Sequence, residues 1–330
     1  MLVLTKAVLA MMIGFIVACL MGLALIPLLK RINVKQVESN FLKKKHSSKS
    51  GTPTMGGLIF IIPTIITIII LLILGKIELS TNLMIVMLVF ISYSLIGFID
   101  DYLIIKRKNN IGLTEFRKLL LQIIVALVFF YIYMKSGANA KVEIHTLNIT
   151  INMGWFYGIF ILFMLVASSN AVNITDGLDG LAGGLSVMAF LTFGLISWNS
   201  KGISGGEDIA ILCFVLVGAI LGFLVFNSYP AKVFMGDTGS LALGATLASI
   251  AILTKHEITF IIVMGVFIFE TLVCLIQIFS MIFLHKKVFL MTPYHHHLEK
   301  LGWEERDIVK LFWIIGLILA LIAIMFSVWI

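Results

Sequence analysis

Ile209-Ala-Ile-Leu-Cys-Phe-Val-Leu-Val-Gly-Ala-Ile-Leu-Gly-Phe-Leu-Val-Phe226 carries no charged side chain from end to end. About 20 apolar residues in an α-helix cross a hydrocarbon core of roughly 30 Å, so this stretch reads as a membrane span. Working outward, comparable apolar runs fall near 7–29, 57–75, 82–100, 118–134, 155–171, 178–197, 209–226, 239–254, 257–285 and 308–329. Sixty per cent of the 330 residues are apolar and only 12% are charged, with a mean hydropathy of +1.11. Such a composition excludes an ordinary soluble domain. The expected fold is all-α and integral to a membrane, with ten transmembrane helices. Residues 1–330 then form a single polytopic domain.

The run at 257–285 would measure about 43 Å as one helix, at 1.5 Å per residue. It is expected to break, with Gly265, Glu270 and Gln277 as candidate places. In the loop at 136–153, Val142, Ile144, Leu147, Ile149 and Ile151 alternate with polar residues on either side of His145-Thr146. That period of two predicts a small β-hairpin near 140–152.

Lys and Arg set the orientation. Eighteen of the 24 fall in alternate loops, beginning with Lys30, Arg31, Lys35, Lys43, Lys44, Lys45 and Lys49. The basic side is read as cytoplasmic, with both termini extracytoplasmic and cytoplasmic loops at 30–56, 101–117, 172–177, 227–238 and 286–307. The net charge of +7 therefore reflects topology and not nucleic-acid binding, while a basic rim suits anionic lipid and phosphorylated substrates. Cys19, Cys213 and Cys274 lie inside apolar runs without a pairing pattern, which suggests neither a disulfide nor a metal site. Ile16-Val17-Ala18-Cys19 has the look of a lipoprotein cleavage box, but the run continues to Leu29 and is read as an uncleaved first span.

Asp100, Asp101, Asp176, Asp179 and Asp237 all fall at cytoplasmic ends of apolar runs. Carboxylates at membrane depth are costly and mark function. Asp100 and Asp101 end the third run, where acidic groups oppose the helix dipole. Adjacent helical residues diverge by about 100°, so only one is expected to face the bundle centre with Asp237. Asn170, Asn173, Asp176 and Asp179 recur at three-residue spacing before a Gly-rich turn, offering donors and acceptors to a sugar or nucleoside. The plainer alternative is a polar turn with Asp caps. Asp237 and Thr238 can cap the eighth helix, whose N-terminus attracts phosphate; Asp237 also fits a Mg²⁺ ion held by one or two carboxylates and phosphate oxygens. Lys49-Ser-Gly-Thr-Pro-Thr54-Met-Gly-Gly57 supplies a lysine, hydroxyls and flexible backbone, though not a Walker A order. His295-His296-His297 could suggest metal, but neighbouring histidines do not converge on one ion, and contact with phosphate or sugar is the preferred reading.

Lys49–Gly57, Gly97-Phe-Ile-Asp-Asp101, Ser169–Ala182, Val233-Phe-Met-Gly-Asp-Thr-Gly-Ser240 and Pro293–Glu299 occur in this order. Together they resemble the phospho-N-acetylmuramoyl-pentapeptide transferase family, within the polyprenyl-phosphate N-acetylhexosamine-1-phosphate transferases. The resemblance implies Mg²⁺-dependent transfer of phospho-MurNAc-pentapeptide from UDP-MurNAc-pentapeptide to undecaprenyl phosphate, giving lipid I and UMP for peptidoglycan synthesis. It also implies a homodimer in the bacterial cytoplasmic (inner) membrane, with the active site facing the cytoplasm. By motif position Asp237 would bind Mg²⁺, and Asp100 and Asp101 would be catalytic. Lys49, Thr54, Asn170, Asn173, Asp176, Asp179 and Asn227 would line the polar cleft, with Phe234 beneath the uracil and the three histidines at substrate. Lys118, or Arg117 beside it, would contact phosphate. A UDP-GlcNAc:polyprenyl-phosphate transferase is the rival within the class. A cation-coupled transporter is the remote one, since its carboxylates belong near the midplane. Direct in-line attack is preferred over an aspartyl-phosphate intermediate, because the acceptor phosphate is largely dianionic at pH 7 and gains little from a base.

Overall fold

The computed structural model describes residues 3–31, 51–107, 112–144, 147, 149–199 and 205–329. Lys49, most of the 30–56 loop and the hairpin apex at 145–146 lie outside the described residues. Twelve helices and one hairpin follow in order. They are α1 (Val3–Arg31), α2 (Leu58–Ile73), α3 (Thr81–Arg107), α4 (Glu115–Lys135), β1 (Lys141–Ile144), β2 (Ile149–Asn152), α5 (Phe156–Thr175) and α6 (Leu181–Asn199). Then come α7 (Gly206–Asn227), α8 (Gly236–Leu253), α9 (Glu257–Val263), α10 (Gly265–Phe279), α11 (Tyr294–Lys300) and α12 (Glu305–Ile324). Among the described residues, nine helices are long and apolar enough to cross a membrane, and α2 is apolar but only 16 residues long.

The most enclosed helices are α7, packed against α1 and α6, and α8, packed against α3 and α5. Lipid tails are as apolar as leucine, so close backbone approach does the work that burial does in water. Gly97 is one such approach. A Cβ there would collide with the Asp237 carbonyl, so only glycine lets α3 press its last turns onto the start of α8.

Three sequence expectations are refined. The third helix does not end at Asp100-Asp101 but runs to Arg107, through Tyr102-Leu-Ile-Ile105, and closes on Lys106 and Arg107. Basic residues in a last turn complement the dipole, so the two aspartates sit inside the helix and not against its terminus. The long ninth run breaks at Met264, immediately before Gly265. Glu270 and Gln277 remain inside α10, with their side chains spent on backbone N–H groups of the segment that returns along it. The strands β1 and β2 pair antiparallel with Val142 opposite Ile151. At that end Lys255 donates to the carbonyls of Asn139 (2.8 Å) and Lys141 (3.1 Å) and lies over the Tyr157 ring. Burial draws its ammonium below the ordinary lysine range.

Candidate active site

Helix direction alone gathers the polar motifs. The C-terminal ends of α3, α5 and α7 and the N-terminal ends of α4, α6, α8 and α12 meet at one end of the bundle. The 51–57 loop joins them by backbone pairing, with Phe234 N donating to Pro53 O (2.8 Å) and Gly56 N to Phe234 O (2.7 Å). Thr54 is buried, and its hydroxyl would be struck by a Cβ on Gly236.

The two adjacent aspartates part company as helical geometry requires. Both carboxylates are buried. Asp101 accepts from Asp237 N (3.2 Å), Thr238 N (3.0 Å) and Thr238 Oγ1 (2.6 Å). It thus satisfies free N–H groups of the first turn of α8, a capping task that the sequence suggested for Asp237 and Thr238 themselves. The correction has a plain cause, since Gly97 lets α3 come near enough to cap α8 from outside. Asp100 turns the other way. It accepts from Leu113 N (2.8 Å) and lies 3.6 Å from the Lys118 ammonium.

Capping from outside frees the Asp237 side chain, which is one-fifth exposed. Its Oδ1 accepts from Asn173 Nδ2 (2.7 Å), and its Oδ2 is hydrogen-bonded by Lys118 Nζ. Asn173 also donates to Ser240 Oγ (2.9 Å). One cation therefore sits between two carboxylates supplied by α3 and α8. Among the described residues no group of three or more His, Cys, Asp or Glu forms a metal-type cluster. Two carboxylates converging on a cation nevertheless fit a Mg²⁺-type ion, which takes few protein ligands and fills its shell with water and phosphate oxygens.

The remaining motif residues form a neighbouring group. Asn170 bonds Gln122 Oε1 (2.9 Å) and its own helix at Val166 O (2.8 Å). Asp176 closes α5 and is half-buried. Buried Asp179 accepts from Ala231 N (2.9 Å), and its own N–H goes to Glu305 Oε1 (2.7 Å). Buried Asn227 ties Gly180 N (3.1 Å) to Val233 O (3.0 Å). The ring of Phe234 is half-buried. Arg117 supplies its N–H to the Thr114 cap at the start of α4. Gln122, Ser240, Glu270 and Glu305 were not read from the sequence as site residues. Gln122 could have been, because it lies one helical turn from Lys118 on the same face.

The three histidines differ. His296 Nδ1 pairs with Glu299 Oε2 (2.7 Å), and His297 Nδ1 accepts from Leu290 N (3.1 Å). His295 is fully enclosed, whereas His296 and His297 are half-buried. Burial holds the His295 imidazole below the ordinary histidine range, against the opposing pull of Glu270. A group neutral when folded stabilises the fold above its unfolded pKa of about 6.5 and loses that contribution as pH falls. Lowering pH from about 7.5 to about 5.5 should therefore reduce the melting temperature, and His295→Gln should flatten that slope. A slope unchanged by the substitution would contradict this account.

The site is thus a carboxylate–lysine–amide cluster at one end of an apolar helical bundle. The glycosyl transferase family 4 model matches residues 82–255. The phospho-N-acetylmuramoyl-pentapeptide-transferase signature 1 matches residues 49–61. A relative of that name from Geobacillus sp. (strain WCH70) is 44% identical over 324 residues, covering 98% of each chain. Another from Bacillus subtilis (strain 168) is 45% identical over 318 residues, covering 96% of this chain and 97% of the relative. The chain belongs to the phospho-N-acetylmuramoyl-pentapeptide-transferase family.

Proposed function

We propose that this enzyme transfers phospho-MurNAc-pentapeptide from UDP-MurNAc-pentapeptide to undecaprenyl phosphate, releasing UMP and giving lipid I. The observation that carries the reading is the Lys118 ammonium held between Asp100 and Asp237, beside the amide of Asn173. Both substrates are anionic and charge grows on the departing UMP, so alignment and charge neutralisation are the main needs. A phosphate oxygen of the acceptor attacks the sugar-1-phosphate phosphorus. The new P–O bond forms as the bond to the UMP oxygen breaks, with the electron pair leaving on UMP. A divalent ion, proposed to be Mg²⁺, would be held by Asp237 with Asp100 and would neutralise pyrophosphate charge. Asn173 fixes the Asp237 carboxylate, and Lys118 offsets repulsion between the incoming phosphates. Asp100 orients the acceptor. Lys49, Asp176, Asp179, Asn227, Phe234, His296 and His297 are assigned to the donor side of the cleft, and Thr54 and Asn170 to its walls.

In this reading the protein spans the bacterial cytoplasmic membrane ten times, α2 included. Both termini and the β1–β2 hairpin lie outside, the site faces the cytoplasm, and the enzyme works as a homodimer. The relatives' names do not favour the UDP-GlcNAc alternative. A transporter is disfavoured because Asp100, Asp101, Asp176, Asp179 and Asp237 gather at one end of the bundle, with Glu270 standing apart inside α10.

The direct test is UMP release from purified protein given both substrates, with Mg²⁺ and after chelation. Turnover confined to the metal-containing sample with the MurNAc-pentapeptide donor supports the proposal. Turnover only with UDP-GlcNAc, or none with either donor, refutes it. Lys118→Met should lower UMP release by about 100-fold, because two carboxylates then face one another without their shared cation. Lys118→Arg should recover part of the loss, and equal rates for the two variants would count against a charge-neutralising role.

A further inference from the structure

The carboxylate of Glu270 lies deep in α10, fully enclosed, and the reaction scheme makes no use of it. An acid in such a place needs strong partners. Those it has come from a different segment of chain. Its Oε2 accepts from Tyr294 N (2.6 Å) and its Oε1 from His295 N (3.2 Å). Its Oε1 also lies 3.4 Å from His295 Nδ1. Seven residues further on, Gln277 Oε1 accepts from Val288 N (3.1 Å) and Phe289 N (3.0 Å). Positions seven apart lie on one helix face. Glu270 and Gln277, with the Cys274 thiol bonded to Thr292 between them, thus fasten residues 288–295 along α10.

The fastened segment ends in the histidines. Facing away from Glu270, His295 Nε2 has no hydrogen-bond partner and is buried. It packs on Gly177 so closely that a Cβ there would strike it. Gly177 is the residue between Asp176 and the Leu178-Asp179 turn. His295 is therefore a wedge whose back is set by Glu270 and whose tip rests on the aspartate turn. The flanking rings follow from this. His296 Nδ1 donates to Glu299 Oε2, and His297 Nδ1 accepts from Leu290 N, so both rings are held by fixed partners. These two rings stand on the same short helix as the wedge, directly after it in sequence.

We infer that Glu270 is a positioning residue for the donor side of the site: it sets the register of His296 and His297 against the Asp176–Asp179 turn through the His295 wedge. This rests on the functional reading above, in which those histidines and aspartates meet the UDP-linked donor. Glu270 itself touches no substrate. Because α10 follows the break at Met264 and carries a broad exposed apolar face that includes Phe269, Leu272, Leu275 and Ile276, the same bonds join a lipid-facing helix to the donor pocket.

The test uses full-length protein and UMP release, with donor KM, acceptor KM and kcat measured separately for wild type, Glu270→Gln, Gly177→Ala and the double variant. Glu270→Gln replaces one acceptor oxygen with an amide N–H that opposes the backbone donors. Gly177→Ala pushes the wedge from the opposite side. Each is expected to raise donor KM by about 10-fold with kcat changed less than about 3-fold and acceptor KM unmoved. The double variant is expected to be no worse than the more affected single, since both act through one wedge. Donor KM within about 2-fold of wild type, a fall in kcat alone, or effects that multiply in the double variant would overturn the inference. Should Glu270→Gln not yield folded protein, Gly177→Ala decides by the same KM and kcat criteria. Absence of UMP release from wild type is a different result, and it would refute the functional reading instead.

Discussion

Asp237→Ala is expected to lower UMP release by at least about 1000-fold, the scale at which removing a charge-stabilising group acts in phosphoryl transfer. Donor binding should weaken far less, and the melting temperature should stay within a few degrees of wild type. The reason for so clean a separation lies in who holds the start of α8. Asp101 takes the N–H groups of residues 237 and 238, and these remain when the 237 side chain is truncated. Asn173 retains Ser240 as a partner, and Lys118 retains Asp100. The Asp237 carboxylate, by contrast, is the partly exposed member of the cluster and the one able to meet an incoming ligand. Rates of UMP release and thermal melts on the same preparation decide the matter. Residual turnover above about 10% would remove Asp237 from the chemistry, and a collapse of the melting temperature would show that it holds the fold instead.

Much of this architecture can be read from hydropathy, because the apolar runs dictate where helices lie, and helix direction then brings Asp100, Asn173 and Asp237 to one end. The break in the ninth run was legible from length alone, with Gly265 beside the residue that breaks. What sequence could not supply was long-range pairing. Asp100 and Asp101 interrupt the third apolar run, yet α3 continues to Arg107, and the two carboxylates find their partners in Leu113 N and the first turn of α8. Nothing local announces such partners. Glu270 shows the same limit: a lone acid in an apolar run reads as a kink or a functional group, and its actual employment depends on a segment 24 residues away. The three histidines were more tractable. Successive residues on a helix point about 100° apart, so one facing inward while its neighbours stay partly open was implicit in their adjacency.

The neighbouring aspartates should separate into two phenotypes. Asp101→Asn is expected to destabilise the protein, and Asp100→Asn to inactivate it with the fold intact. In the Asp101 variant one carboxylate oxygen becomes an amide whose N–H groups face a donor already in place, either the N–H of residue 237 on Oδ1 or the N–H and hydroxyl of Thr238 on Oδ2. Leaving a buried donor unpaired costs about 1–3 kcal/mol, and more when the lost acceptor was charged. A total of about 3 kcal/mol corresponds to a fall of about 4 °C in a chain of this size. Activity falls too, because the turn that presents Asp237 shifts with it. Asp100 has fewer obligations, to Leu113 N and the Lys118 ammonium, and an asparagine oxygen still accepts from Leu113. Its melting temperature should move by less than about 2 °C while UMP release drops by about 100-fold or more. The outcome that would undo this division is the reverse pattern, or equal melting temperatures for both variants. Either would mean that the carboxylate of Asp101, and not its neighbour's, is the one free to meet the acceptor phosphate.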